Sequence, residues 1–163
     1  MSLDELDGHH NRILTILYAT ETGNAQDVAE RLARHCRRYR LTPKVFNVES
    51  YEIVSPPTCC PAFHGIYEIL QDEIIHESLV VFIVSTAGSG REPRTLTPLW
   101  TMLLRSDLPH DLFEDLDFAV FGLGDSAYEK FCWPAKLLAR RLNSLGAREV
   151  CERGEGDEQH HLG

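Results

Sequence analysis

The chain has 163 residues, 43% of them hydrophobic, and a formal net charge of −9. This size suits one domain with a substantial core and leaves no room for a second domain of ordinary size. The negative charge disfavours binding to nucleic acid or to an anionic membrane, because phosphate groups attract Lys and Arg. No apolar run reaches the roughly 20 residues of a membrane span. The first twelve residues are acidic and polar, without the apolar core of an export signal, and the five cysteines show no Cys-x-x-Cys spacing. We therefore expect a soluble, cytoplasmic monomer.

Short apolar runs alternate with helical patterns along the chain. Five runs are predicted to be strands: 13–19, 43–48, 79–85, 118–122 and 149–152. Apolar residues at helical spacing predict three helices, over about 24–36, 96–104 and 135–145, the last ended by Gly146. The acidic, polar segment 1–12 is expected to be a disordered tail, and the segment at about 55–78 to form a loop and a helix.

The alternation of strand and helix predicts an α/β fold, a doubly wound parallel sheet with right-handed crossovers and helices on both faces. Too few residues follow the fifth predicted strand for a fifth helix, so the final helix is expected to be missing. Ligands in such folds bind at the carboxyl ends of the strands. The loops after the strands are therefore the candidate site.

The first such loop joins the first strand to the first helix and reads Thr20-Glu21-Thr22-Gly23-Asn24-Ala25. Unpaired backbone N–H groups and the helix dipole attract an anion at this place, and the two threonine hydroxyls add donors. The loop lacks the Gly-Lys-Ser/Thr ending of a nucleoside-triphosphate loop, so it suits a single phosphate monoester. The alternative is an ordinary helix cap.

Two further loops follow the third and fourth predicted strands. The earlier loop contains Ser85, Thr86, Ala87 and Gly88, and the later loop contains Leu123, Gly124, Asp125, Ser126, Ala127, Tyr128, Glu129, Lys130, Phe131 and Cys132. The glycines of the earlier loop allow close backbone approach to a flat ligand, and those of Gly122-Leu123-Gly124 permit a tight turn. Tyr128 offers an aromatic face for stacking. Taken singly, each loop also fits an ordinary turn or a tyrosine anchored in the core. Because all three loops end neighbouring strands, they are predicted to form one ligand site.

Two other functions match parts of the same region. The segment Gly122–Ala127 fits the dinucleotide pattern Gly-x-Gly-x-x-Gly/Ala, but too little chain follows it for the strand–helix units of that fold. Ser126, Asp157 and His160 resemble the Gly-Asp-Ser and Asp-x-x-His blocks of a serine esterase family. In that family most of the domain separates the two blocks, whereas here they are close in sequence. No metal site is expected.

The loop sequences resemble the flavodoxin family and, more closely, the FMN domain of NADPH-dependent diflavin reductases. The resemblance rests on TETGNA and the following AQDVAERL, on GLGDSAYEKF, and on the acidic final segment GEGDEQHHLG. The final segment points to the diflavin branch that passes electrons to an anamorsin-type iron–sulfur protein in cytosolic iron–sulfur assembly. A chain that has kept this fold but lost FMN is the remaining alternative.

The resemblance implies a tail over 1–12 and a flavodoxin-like FMN-binding domain over 13–163, with a five-stranded sheet of order 2-1-3-4-5. By the same resemblance Thr20–Ala25 hold the FMN phosphate, and Ser85–Gly88 and Leu123–Cys132 lie at the two edges of the isoalloxazine ring, with Tyr128 stacked on it. Asp157 or Glu158 close the site. FAD and NADPH bind a reductase domain that is not in this chain, so the chain alone is not expected to oxidise NADPH.

Several positions depart from the family pattern. Ala87 stands where relatives often carry an aromatic residue, and Glu21 replaces a commoner glutamine, so its carboxylate is expected to point away from the phosphate. Arg91-Glu92-Pro93-Arg94-Thr95 replaces a more acidic stretch, and 55–78 is predicted to be an insertion. The acidic group Glu152, Glu155, Asp157 and Glu158 is interpreted as a docking surface for a basic partner.

Overall fold

A computed structural model of the chain describes residues 13–51, Ile74 and residues 77–160. The predictions for the tail 1–12 and for most of the 55–78 insertion, including Cys59 and Cys60, lie outside the described residues. The elements are β1 (Ile13–Ala19), α1 (Asn24–Arg38), β2 (Thr42–Asn47), β3 (Leu79–Ser85), a 3₁₀ turn (Arg94–Leu96), α2 (Thr97–Leu103), β4 (Asp117–Gly124), α3 (Trp133–Ser144), β5 (Arg148–Glu149) and β6 (Gly154–Asp157).

The strands form one parallel sheet in the order β2-β1-β3-β4-β5, with β6 also paired to β4. This confirms the predicted order 2-1-3-4-5. The interior strands are the fully apolar runs, because they are covered on both faces: Ile16 and Leu17 of β1 point to opposite faces and both have no exposed surface.

The fifth predicted strand, 149–152, is wrong in its bounds. Residues 150–153 lie between two short segments that pair with different parts of β4: Phe118 is opposite Glu149, and Phe121 is opposite Gly154. Between these two pairs β4 has two residues, 119 and 120, whereas the opposite segment has four, 150–153. Two extra residues therefore form a bulge in the segment that pairs with β4. Because of this bulge, part of the acidic final segment is a strand rather than a loop.

Helices pack on both faces of the sheet, as predicted. On one face Ala25, Ala29 and Ala33 of α1 pack with Ile16 and Ile83. On the other face Leu99 and Leu103 of α2 and Leu138 and Leu142 of α3 pack with Phe82 and Phe118. Within the described part of the chain, no helix combines the length and the apolar character needed to cross a membrane.

The ends of the two later helices follow from local chemistry. Gly146, two residues after the end of α3, has a φ of 95°, which confirms the predicted stop. Leu104 was predicted on the apolar face of α2, but the helix ends at Leu103 and Leu104 is 59% exposed. That part of the prediction is wrong, because the helical periodicity does not continue past the last turn.

Candidate functional site

The three predicted loops meet at the carboxyl edge of β1, β3 and β4. The Ser85 hydroxyl donates a hydrogen bond to the Ala19 carbonyl over 3.2 Å, and the Thr86 N–H donates to the Leu123 carbonyl over 2.8 Å. The Glu158 N–H donates to the Gly124 carbonyl over 2.9 Å. These bonds bring the first loop, the second loop, the third loop and the final segment to one edge of the sheet.

The first loop presents free backbone donors. Gly23 has a φ of 99°, a conformation that favours glycine, and its N–H donates to the Thr20 hydroxyl over 2.9 Å. Helix α1 starts at Asn24 without a side-chain cap, and its first backbone hydrogen bond is from the Asp27 N–H to the Gly23 carbonyl. The N–H groups before Asp27 have no acceptor within the helix, so this end has the chemistry that suits an anion.

A short strap from the chain after the second loop holds the first loop in place. The Thr20 N–H donates to the Thr95 hydroxyl over 3.1 Å, and that hydroxyl donates to the Thr20 carbonyl over 3.4 Å. The Arg94 N–H donates to the Glu21 carboxylate over 2.6 Å. The Glu21 side chain is thus directed at the Arg94 backbone. Thr95 was not predicted to support the first loop, because the sequence marks it only as the last residue of a stretch that departs from the family pattern.

The second loop is a tight turn with a buried hydroxyl. The N–H groups of Ala87 and Arg91 donate to each other's carbonyls over 2.8 and 2.9 Å, and Gly88 and Gly90 have φ values of 46° and 103°. Thr86 Oγ1 is buried and has no hydrogen-bond partner among the described residues. A buried hydroxyl without a partner costs free energy, so this atom suits a ligand that supplies one.

The third loop exposes its tyrosine. The Asp125 carboxylate accepts from the Ala127 N–H over 2.8 Å, and the Asp125 carbonyl accepts from the Tyr128 N–H over 3.1 Å. This compact turn leaves the Tyr128 side chain 56% exposed. Glu129 and Lys130 are exposed as well. A flat ligand at this edge can therefore reach the tyrosine ring, and planar rings gain from offset stacking.

Two predicted site residues face the core instead. Cys132 and Ala25 have no exposed surface. Burial, with the Glu155 carboxylate nearby, raises the pKa of the Cys132 thiol to about 11, and Sγ lies 3.9 Å from the Gly156 carbonyl. Their side chains do not line the edge where the loops meet. Cys132 adopts a left-handed φ of 49° directly before α3, so its backbone forms the turn that joins the third loop to this helix.

Asp157 joins the final segment to the third loop. Its carboxylate accepts from the backbone N–H groups of Ser126 and Gln159 over 2.9 and 3.0 Å. The Ser126 hydroxyl, followed by these two N–H groups, holds the pKa of Asp157 below its ordinary value. In a serine triad the acid orients a histidine that contacts the serine. Here the carboxylate binds Ser126 directly, which opposes the esterase alternative.

We expect the stability that this carboxylate contributes to depend on pH. Because the folded pKa is lowered, the contribution is complete above the unfolded value of about 3.9 and is lost as the pH falls through the lower folded value. Asp157→Asn should therefore lower Tm by a constant amount above about pH 5, and the difference should shrink below about pH 4. Calorimetry of both proteins across this range measures it. A difference that persists unchanged at low pH would contradict the assignment.

Two of the four carboxylates of the predicted acidic docking surface make contacts within the described residues. Glu155 forms ion pairs with Arg153 at 3.1 Å and with Lys136 at 3.4 Å. Asp157 accepts hydrogen bonds from backbone N–H groups, whereas Glu152 and Glu158 are exposed and their side chains contact no other residue in the described part of the chain. Among the described residues only Glu155 is paired with Lys or Arg, so Glu152, Asp157 and Glu158 keep their negative charge, and the docking surface stays a prediction.

Comparison with known proteins agrees with this architecture. A family model described as Flavodoxin matches residues 16–162. The chain is similar to "NADPH-dependent diflavin oxidoreductase 1" of Mycosarcoma maydis, with 46% identity over 152 residues, which is 93% of this chain and 20% of the relative. The protein of the same name from Danio rerio is 40% identical over 158 residues, 97% of this chain and 23% of the relative. The chain thus spans about a fifth of the length of these relatives.

Solved structures show the same fold. The flavodoxin of Streptococcus pneumonia TIGR4 superposes with a TM-score of 0.68 at 21% identity, covering 89% of this chain and 84% of that one. Oxidised Flavodoxin 1 of Bacillus cereus gives 0.63 at 23% identity with the same coverages. With the family match over most of its length and the strand order 2-1-3-4-5, the chain belongs to the flavodoxin family.

Proposed function

We propose that the chain binds FMN at the carboxyl edge of the sheet and serves as the FMN-binding electron-transfer module of an NADPH-dependent diflavin oxidoreductase. The observation that carries this proposal is the meeting of three loops at one edge. One offers uncapped helix N–H groups, one a buried hydroxyl without a partner, and one an exposed tyrosine ring. Bound FMN supplies the exchange between two-electron and one-electron transfer.

The described residues fit both ends of FMN. The first loop holds the phosphate with the backbone N–H groups of Asn24 and Ala25 and with the hydroxyls of Thr20 and Thr22. Tyr128 stacks on the ring, and Thr86 Oγ1 supplies a hydrogen-bonding group beside it. Asp157 keeps the third loop closed by holding Ser126. The residues bind and orient the cofactor, and no side chain needs to act as a general acid or base.

The electron donor, acceptor and location are parts of the same proposal. FAD and NADPH bind a reductase domain outside this chain, and an anamorsin-type iron–sulfur protein of cytosolic cluster assembly accepts the electrons in the cytoplasm, with this module acting as a monomer. Two observations support a separate reductase domain as the electron donor. The relatives are named as NADPH-dependent diflavin oxidoreductases, and about four-fifths of their length lies outside the part that this chain matches. The acceptor is supported by the resemblance of the final segment, GEGDEQHHLG.

An absorbance spectrum and an FMN titration of the purified chain test the proposal. We expect a yellow protein with flavin absorbance and one FMN per chain. With FMN and FAD added, we expect no sustained NADPH consumption by the chain alone. If the folded chain binds no FMN, the alternative of a scaffold that has lost its cofactor holds. Sustained NADPH turnover would contradict its assignment as a module that needs a reductase domain.

The esterase alternative is separated by chemical labelling. A fluorophosphonate probe reacts with an activated serine, and Ser126 contacts the Asp157 carboxylate directly and not through a histidine, unlike the serine of a catalytic triad. We expect no labelling of the folded protein. Labelling at Ser126 that disappears in Ser126→Ala would favour the esterase.

Glu21→Gln should tighten FMN binding. The glutamine carbonyl oxygen retains the acceptor for the Arg94 N–H, while one negative charge is removed beside the phosphate dianion. Unit charges a few Å apart in water interact with about 1 kcal/mol, so we expect about fivefold tighter binding at low salt. Titrations at low and high ionic strength measure this, and the gain should diminish at high salt. Riboflavin, which has no phosphate, should bind both proteins equally.

A further inference from the structure

A cleft separate from the first loop lies between the second loop, α2 and the start of α3. Its volume is about 240 Å³, and its walls include Trp100 of α2 and Trp133 of α3. Half-buried Leu137 adds apolar surface, buried Leu96 lies at the wall, and Trp133 is 41% exposed. Exposed indole surface beside an apolar recess is typical of a binding position, since aromatic residues are enriched where partners anchor.

The rim of this cleft carries positive charge in an acidic protein. Arg91 and Lys130 line it, together with the carboxylate of Glu92, while the chain as a whole has a net charge of −9. Neither cation forms an ion pair with a described residue. Both charges are thus available to an acidic ligand, in contrast to Lys136, which pairs with Glu155.

Lys130 is held at the cleft by its packing. A Cβ built on Gly90 would overlap Lys130 Cβ and lie 2.7 Å from its Cδ, so the stem of the lysine crosses directly over the glycine. This contact joins the second and third loops. It also divides the cleft from the edge where Thr86 and Tyr128 lie, since neither of those residues lines it.

We propose that this cleft docks an acidic peptide segment of a partner protein, which inserts one apolar side chain between the two tryptophans. The volume is below the roughly 300–1,000 Å³ of sites that enclose a whole small molecule. It suits one anchoring side chain, and such anchors carry much of the affinity of protein interfaces. The charge of Arg91 and Lys130 selects acidic residues on either side of the anchor.

Docking here places the partner beside the second loop, because Arg91 is hydrogen bonded to Ala87 within the same turn. A use of the cleft in electron transfer rests on the proposed function. The docking itself does not, because it requires only the fold.

Indole N–H signals in a ¹H–¹⁵N NMR spectrum of the full chain with FMN added test the proposal. The chain has two tryptophans, and both line the cleft. The probe is the peptide Asp-Asp-Leu-Phe-Asp-Asp, compared with Asn-Asn-Leu-Phe-Asn-Asn. We expect the acidic peptide to shift both indole signals in a saturable, salt-sensitive way. The neutral peptide should bind at least tenfold more weakly.

Matched variants assign the effect to the cleft. The double variant Arg91→Gln/Lys130→Met keeps the stems and removes the charges, and we expect at least a tenfold loss of affinity for the acidic peptide. Arg34→Gln removes an exposed cation from α1 on the other face of the sheet and should leave it unchanged. Equal binding of the two peptides, no saturable shift, or equal loss in Arg34→Gln would overturn the proposal. Competition between FMN and the peptide would also overturn it, by making the cleft part of the flavin site. A failure of FMN binding is seen separately in the absorbance spectrum.

Discussion

Thr20→Val should weaken FMN binding about 10- to 100-fold, because a hydrogen bond to a charged group contributes about 1.5–3 kcal/mol. The Thr20 hydroxyl oxygen accepts a hydrogen bond from the Gly23 N–H over 2.9 Å. The hydroxyl proton of Thr20 then remains to be donated to the FMN phosphate. Valine keeps the shape of the side chain but removes both roles. The left-handed turn at Gly23 loses its local support at the place where the phosphate is expected to bind.

Parallel titrations with FMN and riboflavin measure this effect. Riboflavin lacks the phosphate, so its affinity should change by no more than about twofold. Thr101→Val is the matched control, because it is the same threonine-to-valine substitution at an exposed position of α2. An equal loss of both ligands would show that Thr20 supports the fold of the edge and not the phosphate position.

The sheet and the three loops were predictable because their signals are local in sequence. A buried parallel strand is a continuous apolar run, and the loop that follows it is marked by glycine and hydroxyl residues. The bounds of β3 match the prediction residue for residue. Since parallel strands align their carboxyl ends, the position of the loops on neighbouring strands placed them at one edge.

The strap and the division of the last predicted strand into β5 and β6 were not predictable, because their signals are not local in sequence. Thr95 contacts Thr20 across 75 positions, and the Glu21 carboxylate contacts a backbone N–H of Arg94 that any residue would carry. Residues 154–157 have no apolar pattern, because they form an edge segment of alternating glycine and acidic residues. Non-local contacts and backbone partners leave no periodicity in the sequence.

The glycines of the third loop show how one pattern fits two explanations. Gly122-Leu123-Gly124 was interpreted as a tight turn near a ligand, yet neither glycine has a positive φ. A Cβ on Gly122 would lie 2.8 Å from Ala135 Cβ and 3.0 Å from Cys132 Cβ. This glycine is therefore required by the close packing of α3 on β4. The packing holds Cys132 and the third loop at the edge of the sheet.

Gly122→Val should destabilise the protein by about 3 kcal/mol with or without FMN, at the upper end of the usual cost of overpacking, since α3 must move away from β4. Denaturant unfolding measures the change in the free energy of unfolding. Ala119→Val adds bulk to the same strand on its other, half-buried face and should change stability by less than about 0.5 kcal/mol. If Gly122→Val were as stable as the parent protein and impaired only FMN binding, the glycine would serve close approach to the ligand. The packing account predicts that loss of flavin follows loss of the fold.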